Sequence, residues 1–213
     1  MVFWGDHTGE PSSYRGWKVL ADTSKINTPS ELDKFCKKLF QWLQVHMAVD
    51  TVTLLLPDSG NQDLTVRSTI GLEDEITQKV FIPIGKGFAG NIAENKLPVV
   101  VENLSVVEVV SPVLRGKGLQ SMVGVPLQLV HSFVGVLHVG TFQPRKFNER
   151  DIQQLQLVGN LLQSVIANAG VYNFDQRCYS QATCSSWKDK YYQLVKMLLG
   201  NKQAQLLQYS IDY

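Results

Sequence analysis

The sequence predicts an α+β fold, in which a six-stranded antiparallel sheet carries the N-terminal and C-terminal helices on one of its faces. Two observations define this arrangement. Capped amphipathic helices begin near residues 28 and 148, and six β-rich runs lie between them. A third observation concerns the other face. A glycine-punctuated turn after the third run starts a short helix, which we expect to cross the sheet together with the loop that follows it.

The first helix has a clear start. Thr28 supplies an N-cap hydroxyl, Pro29 stands at the first helical position, and Glu31 completes a capping box. Apolar residues then recur at three- and four-residue spacing, with charged residues between them. The resulting stripe consists of Leu32, Phe35, Leu39, Trp42, Leu43 and His46. The helix is therefore predicted to pack on the sheet.

The strands are predicted from β-branched and aromatic runs bounded by turn formers. Residues 57–61 form a turn between the first two strands, which predicts a hairpin. The segment 103–118 is apolar, but Pro112 and two glycines exclude a long helix or a central strand. We expect this segment to cover a core or a ligand. The predicted strands are residues 51–56, 64–69, 79–84, 98–102, 119–130 and 133–142.

The last helix also has a readable start. Asn148 is a predicted N-cap, Asp151 follows at the third helical position, and Phe147 with Ile152 forms a hydrophobic staple. The apolar stripe of this helix indicates that it packs on the same sheet face as the first helix. It consists of Ile152, Leu155, Val158, Leu162, Val165, Ile166 and Ala169.

The central turn contains Gly85, Gly87 and Gly90, which allow a sharp bend and a close approach of the backbone to a neighbour or a ligand. A helix that starts there could present free N–H groups to an anionic or carbonyl-bearing ligand. The alternative is that the glycines serve only a tight corner between strand and helix. If they allow close packing, valine at Gly87 or Gly90 is expected to cost about 1–3 kcal/mol.

Composition narrows the classes of function. With 213 residues, of which 44% are hydrophobic and 18% charged, the chain is expected to form one domain with extensions. A formal net charge of +1 gives no broad attraction to nucleic acid. No segment reads as a leader or a membrane span, and the three cysteines are scattered. We therefore expect a cytoplasmic protein without a nucleic-acid or membrane partner.

Four segments occur in the order and spacing of a GAF domain, which the chain resembles over residues 30–169. They are IGKGFAGNIAENKLPVVV, SMVGVPL, VGVLHV and the last helix. The resemblance implies a PAS-like sheet with a ligand pocket beneath the central helix. It divides the chain into an irregular arm at 1–27, a GAF domain at 28–170 and an extension at 171–213 that contains a short helix.

The resemblance also implies which residues line that pocket. They come from the central helix, the covering loop and the sheet, although the sequence does not reveal which half of each strand faces the pocket, because both faces read as apolar. The candidate ligand-binding residues are Phe88, Ala89, Ile92, Val109, Ser111, Leu114, Ser121, Val123 and His138. His138 interrupts an apolar strand and is either a ligand contact or a satisfied core histidine. No metal site is predicted, and the cofactor is unknown.

Three functions remain open. The first is a non-enzymatic sensory or regulatory module of signal transduction, which binds a small molecule or a protein partner. The second is a small-metabolite enzyme resembling the methionine sulfoxide reductases of this family, and the third is a fold kept for protein assembly. Known reductases and bilin-binding members need a pocket cysteine, and residues 48–169 contain none. The asparagine–lysine–phenylalanine–aspartate–glutamate motif of cyclic-nucleotide-binding members is also missing. We therefore favour the sensory module and expect no enzymatic activity.

The terminal helices are expected to form a homodimer. Trp42, Val45, Leu161 and Val171 fall wholly or partly outside the apolar stripes, and clustered exposed apolar groups often mark an interface. The alternative is a monomer in which the N-terminal arm, or a helix around residues 191–199, covers that surface.

Overall fold

The computed structural model of the protein describes residues 26–58, 60, 62–107, 109–129 and 132–169. The expectations for most of the arm at 1–27, for the extension at 171–213 and for Val171 lie outside these residues.

Six strands form one antiparallel sheet in the order β3-β2-β1-β6-β5-β4, which confirms the predicted α+β architecture. The first two strands form the predicted hairpin, and the last hairpin joins the two longest strands. The strands are β1 Thr51–Pro57, β2 Asp63–Ile70, β3 Phe81–Pro83, β4 Val99–Val101, β5 Ser121–Leu129 and β6 Ser132–Thr141.

Helix α1, Pro29–Met47, begins with the predicted capping box. In this cap the carboxylate of Glu31 accepts hydrogen bonds from the backbone N–H groups of Asn27 and Thr28, at 3.0 and 3.1 Å. These bonds, led by the one from Asn27, hold the pKa of Glu31 below its ordinary value. The cap was predictable because all of its partners are local in sequence.

Three short helices lie between the strands. Helix α2, Glu73–Thr77, lies in the connection between the second and third strands, where no helix was predicted. Helix α3, Gly87–Asn95, is the predicted central helix. In the covering segment, a 3₁₀ turn at Leu104–Val106 precedes helix α4, Pro112–Lys117, which Ser111 caps. The covering segment is therefore a short capped helix with irregular flanks.

Helix α5, Glu149–Asn168, starts with the predicted cap, in which Asn148 and Asp151 exchange side-chain and backbone hydrogen bonds. Arg145 joins this cap to the end of α1. Its guanidinium donates to the carbonyl oxygens of Met47 and Ala48, and to Asp151 Oδ1 at 2.7 Å. One side chain thus connects the two terminal helices.

The two faces of the sheet carry separate apolar cores. Helices α1 and α5 cover one face, as predicted, and the short helices α2, α3 and α4 cover the other. Trp42 belongs to the first core and is only 8% exposed, so the expectation that it contributes to an exposed surface is wrong. Val45, in contrast, is 77% exposed.

No helix among the described residues is long and apolar enough to cross a membrane.

Candidate functional site

The central turn brings helix α3 close to the sheet. Gly87 has a φ of +63°, and a β-carbon there would lie 2.8 Å from a methyl group of Val110. A β-carbon at Gly90 would overlap the carbonyl oxygen of Pro83, at the end of β3. The turn is further held by a hydrogen bond from the N–H of Gly85 to the carbonyl of Gly90, at 2.9 Å. These glycines permit close packing of helix, strand and covering segment.

Helix α3 fills the space beneath it with its own side chains. A β-carbon at Gly124 of β5 would lie 2.6 Å from Cδ1 of Ile92 and 3.0 Å from Cε1 of Phe88. Ala89 and Ala93 are buried beside them. Phe88, Ala89 and Ile92, which were predicted to line a pocket, therefore make direct apolar contact with neighbouring groups. Their role in ligand binding stays a prediction.

His138 lies buried under this helix. Its ring meets the ring of Phe88 edge-on, with centroids 5.8 Å apart, and the side chain is 2% exposed. Burial lowers the pKa of His138 to about 3, so the imidazole is neutral at physiological pH. Its Nδ1 has no hydrogen-bond partner among the described residues. A contact between this nitrogen and a ligand stays a prediction.

Two threonines extend a polar line across the same sheet face. Thr53 of β1 stands between His138 and Thr69 in the strand register. The hydroxyls of Thr53 and Thr69 are 2.7 Å apart, and the Thr69 hydroxyl also reaches the carbonyl of Val52 at 3.1 Å. Sequence reasoning missed this pair, because threonines are common in strands and only the register shows that they adjoin His138.

The structure places Ser121 and Val123 apart from the other predicted site residues. Val123 belongs to the core beneath α1 and α5. Ser121 is two residues before Val123 on β5, so its side chain lies on the same face of the sheet. Its hydroxyl donates to the carbonyl of Glu102 at 2.7 Å and accepts from the N–H of Arg145 at 2.9 Å. Because side chains alternate along β5, the side that faces α3 belongs to Met122 and Gly124 instead.

The remaining predicted residues lie in the covering segment. Val109 and Leu114 are buried in the core of the α3 face. The carbonyl of Val109 accepts hydrogen bonds from the guanidinium of Arg115, which fixes the loop before α4. Ser111 is also buried, and its hydroxyl accepts from the N–H of Leu114 at 3.4 Å as the cap of α4.

Ser111 contacts Glu75, which was predicted only to belong to the connection between the second and third strands. Its hydroxyl donates to Oε1 of Glu75, on helix α2, at 2.6 Å. Glu75 is 1% exposed, and Oε2 has no hydrogen-bond partner among the described residues. Burial raises the pKa of Glu75, and the bond from Ser111 opposes that rise. A buried carboxyl with one satisfied oxygen thus lies between α2 and α4.

A second polar contact joins the same two helices near the surface. Nζ of Lys117, in the last turn of α4, lies 2.9 Å from Oδ2 of Asp74 on α2. The hydrogen bond from Lys117 to Asp74 raises the pKa of the ammonium. Helices α2 and α4 are therefore linked at both ends of α4, once in the interior through Glu75 and once at the surface through Asp74.

A pocket of about 300 Å³ lies between these two helices. Asp74 and Gln78 are four residues apart and form one wall, and residues of α4 form the other. The lining residues are Asp74, Gln78, Pro112, Val113, Gly116 and Lys117. Its volume is at the lower limit of the ~300–1,000 Å³ found for small-molecule sites. The acidic run at Glu73, Asp74 and Glu75 was the available sequence signal, but nothing local indicated that it would meet α4.

The described residues provide no reactive thiol and no metal cluster near this pocket. Cys36 lies in the core on the opposite face of the sheet, and burial raises the pKa of its thiol to about 12. The described part of the chain contains no group of three or more potential ligands from His, Cys, Asp and Glu that could hold a metal ion. These residues can offer hydrogen bonds and charge, but no activated nucleophile is evident.

Solved structures of low identity share this fold. One is the GAF domain of a phosphoenolpyruvate-protein phosphotransferase from Acinetobacter, with 22% identity over 76% of this chain and 97% of that chain, at a TM-score of 0.60. The corresponding domain from Coxiella burnetii has 18% identity over 76% of this chain and 98% of that chain, at a TM-score of 0.61. The free methionine-R-sulfoxide reductase from Neisseria meningitidis, solved with its substrate, has 17% identity over 79% of this chain and 96% of that chain, at a TM-score of 0.56.

No curated protein gives a significant match to the sequence. The family model described as the GAF domain matches residues 29–167, which is most of the chain and includes the central turn, both terminal helices and the covering segment. The chain therefore belongs to the GAF domain family.

Proposed function

We propose that this chain is a non-enzymatic regulatory module of signal transduction, which acts in the cytoplasm and binds a small molecule between α2 and α4. The observation that carries the proposal is the pocket of about 300 Å³ between these helices, which has Asp74 on one wall and Lys117 on the other. A ligand in this pocket can make charge-assisted hydrogen bonds to these two side chains, which are stronger than hydrogen bonds between neutral groups.

A route from this pocket to the rest of the domain supports a regulatory role. The covering segment contacts the central turn through Val110 and Gly87, and α3 rests directly on Gly124 and His138 of the sheet. A ligand that moved α4 away from α2 would change the packing at this turn. We propose that the change passes through the sheet to the terminal helices and to a signalling partner. In this proposal residues 28–170 form the sensory domain, and 1–27 and 171–213 are extensions.

Native mass spectrometry of protein purified from its own cells tests the proposal. The expected result is an added mass that is lost, or greatly reduced, in the Asp74→Asn variant, since the amide removes the charge of a pocket-lining side chain without much change in volume. Lys146→Ala is the matched control, because Lys146 is exposed and lies in the segment before α5. Unmodified protein in every preparation, with no binding to a metabolite panel, would contradict small-molecule sensing.

We predict that the protein does not reduce free methionine sulfoxide. The described thiol, Cys36, is buried on the far side of the sheet from the pocket, and only a thiolate attacks sulfur effectively. A thioredoxin-coupled assay should therefore give the same background rate for the wild type and for Cys36→Ser. Turnover that is lost in Cys36→Ser would show that the protein is an enzyme of the reductase type.

The terminal helices are proposed to pair two copies of the chain. Val45 of α1 is 77% exposed, and Leu157 and Leu161 of α5 pack against the core while remaining partly exposed. Apolar groups at these positions favour association of helices, which would couple a change in the sheet to the next protein in the pathway.

We predict that Val45→Glu and Leu161→Glu convert the dimer into a monomer. A charge buried in a helix interface without a partner loses its hydration and destabilises the association by several kcal/mol, on the order of the cost of an unpaired buried charge. Multi-angle light scattering of the full chain measures the change, and Lys146→Glu is the control because Lys146 is exposed and lies outside both helices. A wild-type monomer at all concentrations would contradict the dimer and favour coverage by the terminal extensions.

One observation favours an alternative in which the fold serves protein assembly alone. The space under α3 is filled by Phe88 and Ile92, which leave no room for a group at the surface of Gly124. In that case no small molecule binds, and the dimer or partner complex forms equally well in protein that has been unfolded, dialysed and refolded. A difference between native and refolded samples that is reversed by a cell extract of small molecules would exclude this alternative.

A further inference from the structure

Glu75 places an ionisable group inside the layer of short helices that covers the α3 face of the sheet. The residue is 1% exposed, and it belongs to α2, which packs against β2. Its one described side-chain hydrogen bond, of 2.6 Å, comes from the hydroxyl of Ser111, the residue that caps α4. Oε2 has no partner among the described residues. The carboxyl therefore joins α2 to the start of α4 through a single bond.

The charged side chains of the elements packed around Glu75 have other partners. Asp74 and Lys117 pair with each other at the surface, and Arg115 donates to a backbone carbonyl of the covering segment. Arg67 pairs with a carboxylate of α1, on the other face of the sheet. No cation among the described residues forms an ion pair with Glu75. The charged residues of these elements are Glu73 and Asp74 of α2, Asp63 and Arg67 of β2, and Arg115 and Lys117 of α4.

The two protonation states of Glu75 differ in their cost to this layer. A carboxylate that is cut off from water loses its hydration, and one hydrogen bond from a neutral hydroxyl replaces only part of it. A neutral carboxylic acid in the same place carries no charge, so its burial costs much less. Separation of α4 from α2 would return the carboxyl to water. Ionisation of Glu75 therefore favours separation of the two helices, and protonation favours their contact.

From this geometry we propose that Glu75 and Ser111 form a pH-responsive latch, which holds α4 against α2 when Glu75 is a neutral acid and releases α4 when Glu75 is a carboxylate. Release moves the covering segment, which contacts the central turn through Val110 and Gly87. The latch responds to pH without a ligand, so the inference goes beyond the proposed binding of a small molecule and does not rest on it.

The direction of the response follows from the burial of the carboxyl. Burial raises the pKa of Glu75 in the closed form, and the bond from Ser111 opposes that rise, whereas in the released form the pKa returns to its ordinary value. The closed form therefore binds the proton more tightly. Its advantage over the released form is complete below the ordinary pKa and is lost as the pH rises through the interval between the two values. The released fraction can grow by up to about ten-fold per pH unit in that interval, and it levels off above the raised pKa.

Hydrogen exchange of the full chain, followed by mass spectrometry without added small molecules, tests the latch between about pH 5 and pH 8. In the wild type, exchange of the α4 amides, divided by the intrinsic exchange rate at each pH, should increase by at least about five-fold over this range. In Glu75→Gln it should stay constant, because an amide does not titrate. Glu73→Gln is the matched control, since Glu73 is an exposed glutamate of the same helix, and it should keep the wild-type increase. An equal increase in Glu75→Gln, or no increase in the wild type, would overturn the inference.

Carbon-13 NMR of the glutamate carboxyl groups gives a second test, which does not require any variant to fold. One carboxyl resonance of the wild type should titrate above the ordinary glutamate range, and it should be missing in Glu75→Gln. Ser111→Ala should move the midpoint of that titration to a still higher pH, because it removes the hydrogen bond that favours the ionised form. Ordinary midpoints for all glutamate carboxyls of the wild type would overturn the inference.

Discussion

Alanine at Gly90 is expected to lower the free energy of unfolding by about 3 kcal/mol, at the upper end of the cost of overpacking a close contact. A β-carbon there would overlap the carbonyl oxygen of Pro83 and lie 3.3 Å from the backbone nitrogen of Gly85. Those atoms cannot easily move aside, because Pro83 accepts the N–H of Lys86 at 3.0 Å and Gly85 donates to Gly90 itself. The clash is therefore with a hydrogen-bonded backbone rather than with a side chain that can rotate.

Urea denaturation measures this effect, and Gly116→Ala in α4 is its matched control. Gly116 is also a helical glycine, but a β-carbon there meets nothing within 4 Å. Its replacement should raise stability by about 0.5–1 kcal/mol, through helix propensity alone. If Gly90→Ala were as stable as Gly116→Ala, close contact between α3 and β3 could not be the reason for glycine in the central turn.

Replacement of Arg145 with alanine is expected to cost about 2–3 kcal/mol, because it removes several charge-assisted hydrogen bonds together. The guanidinium caps the end of α1 at the carbonyls of Met47 and Ala48, and it pairs with Asp151 at the start of α5. It also lies 4.6 Å from the ring centre of Phe147. Asp151 is buried, so the loss of its partner leaves a carboxylate that only the capping bonds stabilise.

The same denaturation experiment includes Arg145→Lys and Lys146→Ala. Lysine keeps the charge but not the planar fork, so Arg145→Lys should lose part of the stability. Lys146 is exposed, and its nearest carboxylate, on Glu102, is 4.0 Å away, so Lys146→Ala should change stability by less than about 0.5 kcal/mol. A loss in Arg145→Ala no larger than that in Lys146→Ala would contradict the role of Arg145 as a connection between the terminal helices.

Gly90 and Asp74 contribute to different parts of the proposed mechanism. Gly90 allows the close approach of α3 to β3, while Asp74 is an exposed residue that lines the pocket between α2 and α4. Variants of Asp74 are therefore expected to change binding without changing stability, and Gly90→Ala to do the reverse. This contrast distinguishes the recognition of a ligand from the integrity of the fold.

Features that depend on neighbouring residues in sequence were predictable. The caps at Thr28 and Asn148 each involve partners within four residues, so their residue types alone indicated where α1 and α5 begin. The strands were recognisable because β-branched runs alternate with turn formers, and the number of strands and the two helix stripes then led to the predicted sheet. Their ends differ by at most two residues from the predicted ranges, since pairing with a neighbour decides where a strand stops.

Features that depend on distant residues were decided only by the tertiary structure. Both faces of β5 are covered, so the composition of the strand could not show that Ser121 and Val123 face α1 and α5 while Gly124 faces α3. Trp42 reads equally well as part of the stripe or as an exposed group until the core is assembled around it. Glu75 and Ser111 are 36 residues apart, and a hydrogen bond between them exists only because the sheet brings α2 and α4 together. Local chemistry thus determined the elements of this protein, whereas packing between distant segments determined its pocket.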